Sequence, residues 1–463
     1  MKGFYLTYIF LLLLPSYIFA QNNYYWSQQQ GPNGNLLGGS LASGASDNSA
    51  IFYNPGALAF TETPNVSLTS DLISYTFLHI KNGAGEGLDI KGNQLTTKPQ
   101  MLAGTAFGAK NNRFKVTYAI FNLLNEKSEY SAQNTAQISN SNQVYEGFFN
   151  YKNALRNDRF AIGTTYRLAD NIGIGITHFV DIKSTEITSN TNESWYTNKL
   201  ATNYSNDFKN LKYSHVSLLW KLGIAWHYNE KLNLGLNFET PDIRIKFLST
   251  AYSRRITETL DDNGVLEKYS SSQDKVYTSY SLPFTFDLNL GYTTKYTQYS
   301  ARVGFFSKVE KYNLLQLKSE TTINPSPDPG FNQYTLSNKR IVNYAIGVKH
   351  RILNDMNILM GFRTDFNFIN QEDLNFTKDN FLSFNYWDVY HFSSGVEWFG
   401  SNFNIIAGIV ADFGFSENNP QLVNLTARPY SELDNFNTNT ETSYLQLNLI
   451  FGITYHFKDR TQM

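Results

Sequence analysis

The chain has 463 residues, a net charge of −1, no cysteine, and 16% aromatic residues that include 31 Tyr and 35 Phe. Near-neutral charge leaves no electrostatic footprint for nucleic acid, and the lack of cysteine excludes disulfides, thiolate metal sites, a thiol nucleophile and a lipid-anchored N-terminus. Beyond the first stretch no apolar run reaches the roughly twenty residues a transmembrane helix needs, a test that β-barrels escape because lumen-facing polar residues dilute the lipid-facing ones.

In chain order, residues 1–20 read as a cleavable secretory signal, with Lys2, the apolar core FYLTYIFLLLL and Ala20 ahead of Gln21. Asn35 to Ala59, NLLGGSLASGASDNSAIFYNPGALA, follows. It is rich in small residues and does not alternate, so it makes a poor strand. Taken alone, Asn54-Pro55-Gly56 could be an ordinary turn.

From Val66 onward the dominant period is two. Val216, Leu218, Trp220, Leu222, Ile224, Trp226 and Tyr228 share one face, against His215, Ser217, Lys221, Gly223, Ala225 and His227; only Leu219 breaks the pattern. Such alternation predicts strands with one apolar and one polar face. Fourteen segments are expected, near 66–80, 98–109, 112–124, 158–168, 172–187, 213–228, 231–249, 277–293, 298–315, 338–352, 356–370, 386–399, 402–417 and 443–457. Short turns such as Lys110-Asn111, Asp170-Asn171, Asn229-Glu230 and Asn354-Asp355 alternate with long polar stretches near 81–97, 125–157, 188–212, 250–276, 316–337, 371–385 and 418–442. This asymmetry predicts an all-β transmembrane antiparallel barrel of about fourteen strands, both ends at the short-turn rim. Tyr292, Tyr296, Tyr299, Tyr386-Trp387 and Trp398-Phe399 are candidate interface girdles. A soluble sandwich or propeller is the competing fold. Around Pro241 the apolar parity shifts from even to odd positions, so a bulge or break is expected there.

The small-residue stretch, with Asp47-Asn48 and then FYNPGAL, resembles the N-terminal hatch of outer-membrane long-chain fatty acid transporters of the FadL type, a family that includes aromatic-hydrocarbon channels. That family more often has NPA where this chain has Asn54-Pro55-Gly56. Thr240-Pro241 and Leu282-Pro283-Phe284 are also similar to it. The resemblance implies a plug over 21–61 inside a barrel over 62–457, a periplasmic tail over 458–463, and passive uptake of a fatty acid or aromatic hydrocarbon across the outer membrane. The family's lateral exit depends on a kinked third strand, but residues 112–124 contain no Gly or Pro to cause one.

By parity Lys221, Glu239, Asp287, Arg302, Lys308, Arg363, Asp365 and Glu397 face the lumen, where such charges can simply pair with one another. Arg302 or Arg363 could instead receive a ligand carboxylate. Phe121, Phe179 and Phe306 break the polar parity and, with Phe52, Tyr53, Asn54 and Pro55 of the plug, complete the expected ligand-binding set. The expected partners are outer-membrane lipid and a hydrophobic small molecule. Oligomeric state is left open, with a monomer as the default. Neither HxxxH nor HExxH occurs, no catalytic group is marked, and no cofactor is implied. The alternatives are a barrel-fold interaction protein of a secretion system and a general porin.

Overall fold

The computed structural model describes residues 23–41, 47–61, 64–108, 112–318, 330–373, 386–419, 421–433 and 440–457; the expected signal, the tail 458–463 and Lys110-Asn111 lie outside them. The wall is built from β1 (Asn65–Lys81), β2 (Ile90–Phe107), β3 (Phe114–Gln137), β4 (Gln143–Ala169), β5 (Ile172–Thr197) and β6 (Leu200–His227). Next come β7 in three pieces (Leu232–Glu239, Ile243–Arg244, Thr250–Leu260) and β8 in two (Leu266–Thr278, Thr285–Thr293). It is completed by β9 (Thr297–Phe306), β10 (Ile341–Leu353), β11 (Met356–Asp365), β12 (Asp388–Phe399), β13 (Phe403–Asn419) and β14 (Thr440–His456). Each strand is antiparallel to the next, and β14 returns to β1 through Asn65↔His456, Ile73↔Leu449 and Lys81↔Glu441. The result is a closed barrel of 14 strands, in which the first and last strands partner one another, as a lipid environment demands.

The alternation sorts as expected. Leu222, Ile224 and Trp226 are exposed on the outer surface while Lys221, Gly223 and Ala225 between them are buried inside. The turns at 170–171, 229–231, 294–296, 354–355 and 400–402 are all short and join consecutive strands at one rim.

Four differences have physical causes. First, most of the expected long loops are strand. The β3–β4 ladder runs to Gln137↔Val144 and the β5–β6 ladder to Thr197↔Leu200. Asn198 and Lys199 then form a two-residue turn with φ of 51° and 67°, the positive values a tight hairpin requires. Much of 250–276 pairs likewise, from Tyr269↔Thr257 to Tyr277↔Thr250. Beyond the lipid band neither face has to be apolar, so the alternation fades although backbone pairing continues. Second, β9 stops at Phe306; Lys308 lies past its end, half-exposed and paired with Glu310 at 2.9 Å, so it does not face the lumen. Third, Trp387 is buried against Tyr24 and Tyr444 rather than placed in a girdle. Fourth, Val216 is covered, because the turn over 246–249 folds back on it and Ser249 bonds its backbone.

The wall has two interruptions. β2 and β3 pair only as far as Met101↔Phe121. Pro99, which has no N–H to give, stands just beyond, and β3 shifts register between Asn122 and Leu124. The third strand therefore does carry an irregularity, supplied by a bulge and by a proline on its neighbour. The second lies at Thr240-Pro241-Asp242, where the ladder breaks as the parity shift predicts, and β8 has no ladder partner on β7 at the same height over 279–284.

Candidate functional site

The N-terminal segment carries two short helices, Pro32–Leu36 and Ala50–Tyr53, and a 3-10 turn, Pro55–Phe60. Its Leu36, Leu37, Ile51, Tyr53 and Leu58 share one apolar cluster with Met101, Phe121, Phe179, Leu219, Leu359, Ile406 and Ile450. Those partners come from strands all around the wall, so the segment sits within the ring of strands. Its irregular backbone is bonded by inward polar side chains. Lys221 donates to the carbonyl of Phe52 at 2.7 Å, Thr177 to that of Ile51 at 2.9 Å, and Thr165 to that of Pro55 at 2.7 Å. Arg363 donates to Trp26 and Ser27, and Asp365 accepts from the Trp26 N–H at 3.0 Å. Lys115 reaches the carbonyls of Leu58 and Thr61. The polar face of the strands thus satisfies buried main-chain groups that would each otherwise cost about 1–3 kcal/mol.

Close approach is possible because the wall is stripped to backbone where the segment touches it. A Cβ on Gly175 would lie 2.6 Å from the Pro55 carbonyl carbon; one on Gly173 would collide with the Gly56 oxygen, and one on Gly223 with the Asn54 side chain. Asn54 completes the fit by donating to the Ile224 carbonyl at 2.9 Å and accepting from the Gly56 N–H at 3.0 Å. Across the barrel, Gly347 and Gly361 receive Leu37 to Ser40 in the same way.

Among the described residues, two cavities lie between segment and wall. The larger, about 130 Å³, includes Tyr25, Phe52, Leu123, Phe306 and Phe368 among its lining, together with Tyr280, Leu282 and Pro283 at the β8 interruption. Tyr25 stacks between Phe306 and Phe368, with ring centres at 4.4 and 4.5 Å. Its charged rim is mostly self-compensated. Arg302 forks onto Asp287 at 3.0 Å, Lys221 meets Glu239 at 2.8 Å, and Arg159 holds Asp181 at 2.8 Å and Glu239 at 3.3 Å. Lys183 differs. Its ammonium lies 3.8 Å from the centre of the Tyr280 ring, and it makes no ion pair among the described residues. The smaller cavity, about 30 Å³, has Asp71, Lys98, Glu126, Arg363, His391 and Asp412 on its walls together with Leu123, Leu124, Val410 and Ile450.

The expected ligand residues divide accordingly. Phe52, Arg302 and Phe306 line the larger cavity and Arg363 the smaller. Tyr53 is buried and exchanges hydrogen bonds with the main chain of Gln30 at 2.8 and 2.9 Å; burial holds its phenol well above the ordinary tyrosine range, so it stays protonated. Asn54 and Pro55 face the glycines of β5 and β6. Phe121 packs on Phe52 and Phe179 lies under the Arg159 guanidinium, both fully buried. Both arginines proposed for a carboxylate are engaged by the protein itself. Sequence reasoning missed Lys183, although its odd position on β5 matches the inward parity of Thr177 and Asp181. It also missed the glycine surface, although Gly173 and Gly175 share that parity.

These features define a class: a closed barrel of 14 antiparallel strands, with N-terminal residues packed against its inward side chains. Its fold is that of the FadL-type channels. A Pseudomonas aeruginosa FadL homologue is similar over 94% of this chain and 100% of its own, at 13% identity and a TM-score of 0.62. The Pseudomonas putida toluene transporter TodX is similar over 93% and 99% at 12% identity and a TM-score of 0.58. The Ralstonia pickettii toluene transporter TbuX follows over 93% and 99%, at 11% and 0.55. No protein-family model and no curated protein matches the chain.

Proposed function

We propose that the protein is an outer-membrane channel for passive uptake of hydrophobic compounds, either aromatic hydrocarbons or long-chain fatty acids, with the N-terminal segment as a plug. The observation that carries this reading is the aromatic-lined cavity of about 130 Å³ between plug and wall. A cavity of about 150 Å³ has room for benzene, so by volume the closed state suits one ring or a short length of acyl chain, held by the aromatic side of a lining that also carries Arg159, Lys221, Glu239 and Asp287. The apolar outer face, the fold shared with toluene transporters and the lack of a phosphate-binding motif support passive movement rather than a driven pump.

Within this reading Lys183 receives the head group of a carboxylated ligand, since its charge is not already neutralised by a neighbouring carboxylate. Binding of radiolabelled oleate and toluene to the purified protein in detergent tests it. Lys183→Met should weaken oleate by about tenfold, the loss of one charge-assisted hydrogen bond of about 1.5 kcal/mol, and leave toluene unchanged. Absence of saturable binding of either compound to the wild type would favour the interaction role in a secretion system.

A further inference from the structure

We infer that the interruption between β7 and β8 is a side port through which a hydrophobic ligand passes between the lumen cavity and the membrane, separate from the seam between β2 and β3. The inference rests on the uptake reading. The last ladder pair below the interruption is Thr285↔Glu239 and the first above it is Tyr277↔Thr250. Between them the wall is not a ladder. β7 stays attached to β6 on its other side, through Ile243↔Leu218 and Arg244↔Ser217 and the Ile245 N–H to the Val216 carbonyl. The strip 279–284 of β8 is the piece that is let go.

That strip is a closure rather than a wall. The Leu282 N–H donates to the Asp242 carboxylate at 2.7 Å, and the Ser281 N–H to the Tyr312 hydroxyl at 3.3 Å, while Pro283 has no N–H. Side-chain contacts thus replace the main-chain bonds to β7, while on its other side the strip keeps two main-chain bonds, from the Ser279 N–H to the Leu314 carbonyl at 2.7 Å and from the Ser307 N–H to the Phe284 carbonyl at 3.1 Å. Asp242 is the centre of the latch: it also accepts from the His215 Nε2 at 3.0 Å, whose other ring nitrogen lies 3.1 Å from the Thr278 hydroxyl. Arg244 reaches across to the Thr278 carbonyl. Moving the strip breaks a few such contacts and leaves both flanking ladders standing.

The two sides of the strip have the same chemistry. Inside, Tyr280, Leu282 and Pro283 form part of the aromatic-lined cavity. Outside, Ile243 is 59% exposed, Phe247 77% and Leu248 46%, and Phe284 is exposed beside them. A nonpolar molecule moving outward would exchange one apolar surface for another, passing the Asp242, His215 and Arg244 contacts that hold the strip. The β2–β3 seam reaches both cavities, with Leu123 and Leu124 at the larger and Asp71, Lys98 and Glu126 at the smaller.

The natural absence of cysteine makes a clean test possible. The double variant Asp242→Cys, Leu282→Cys, joined by a short bifunctional thiol reagent whose link is cleavable, holds the strip shut; the same protein after cleavage is its control. In reconstituted vesicles the joined form should take up radiolabelled toluene and oleate at least fivefold more slowly than the cleaved form. Equal uptake by the two forms overturns the port. The wild type supplies a second measurement independent of any variant: a diazirine-bearing fatty acid carried in the bilayer should label 243–248 and 279–284. Label confined to 98–101 and 121–124 overturns the port and leaves uptake in place. A wild type that neither binds nor transports either probe overturns the uptake reading and the port with it.

Discussion

Gly175→Val is expected to open the channel while leaving the barrel intact. The added Cβ would stand 2.6 Å from the carbonyl carbon and oxygen of Pro55. Both are main-chain atoms that cannot swing aside. Overpacking of this kind costs about 1–3 kcal/mol, which is roughly 5- to 150-fold against the docked turn. The wall itself should not suffer, because valine suits a strand better than glycine does, on a scale that spans about 1 kcal/mol. The two effects act on different parts of the molecule, so they separate in experiment. The variant should keep heat-modifiable mobility in gels and show raised conductance in planar bilayers. Gly223→Val, on the neighbouring strand and against Asn54, should behave alike.

Leu447→Arg is expected to block assembly. Leu447 lies on the outer face, paired with Ala411 of β13, and is 38% exposed. An arginine facing lipid near the midplane costs roughly 2–4 kcal/mol, a large share of the stability of most folds. Asn233→Arg, half-exposed on the opposite parity near the short-turn rim, should be tolerated. Asn448 has the same inward parity but is a poor control. It bonds Ser74 at 2.6 Å and Asp412 at 3.0 Å, so an arginine there breaks a buried network. The folded fraction in lipid vesicles across a urea titration checks the pair. If Leu447→Arg and Asn233→Arg lose stability equally, the assignment of faces fails.

What could be read in advance follows from where lipid constrains the chain. Within the bilayer one face must be apolar, so Leu222, Ile224 and Trp226 marked β6 and its orientation. Above it both faces meet water, and the long ladders of β3 to β6 left no periodic trace. Pro241 disclosed one interruption because a parity shift accompanied it. The β2–β3 seam gave no such signal: its bulge at Asn122 and Leu124 is short, and Pro99 sits at the start of an expected strand. In the lumen, parity assigned Lys221, Asp287, Arg302, Arg363 and Glu397 inward, and the prospect that these charges pair describes Arg302 with Asp287 and Lys349 with Glu397. It could not reveal which lumen cation lacks a carboxylate partner among the described residues. That depends on neighbours from different strands, and only the three-dimensional arrangement singles out Lys183. The glycines of β5 and β6 were visible as residues but silent in purpose, since their role is to leave room for a segment more than a hundred positions away.

The central claim is that the N-terminal segment closes the lumen. Single-channel conductance in planar bilayers, measured on the full-length protein and on a form lacking 22–58 behind an intact signal, tests it most directly. The account predicts that the shortened form still inserts as a heat-modifiable barrel, because the strands pair with one another and β14 with β1, and that it conducts ions far more freely. Conductance equal to that of the full-length protein, from a shortened form that is folded and inserted, would contradict it.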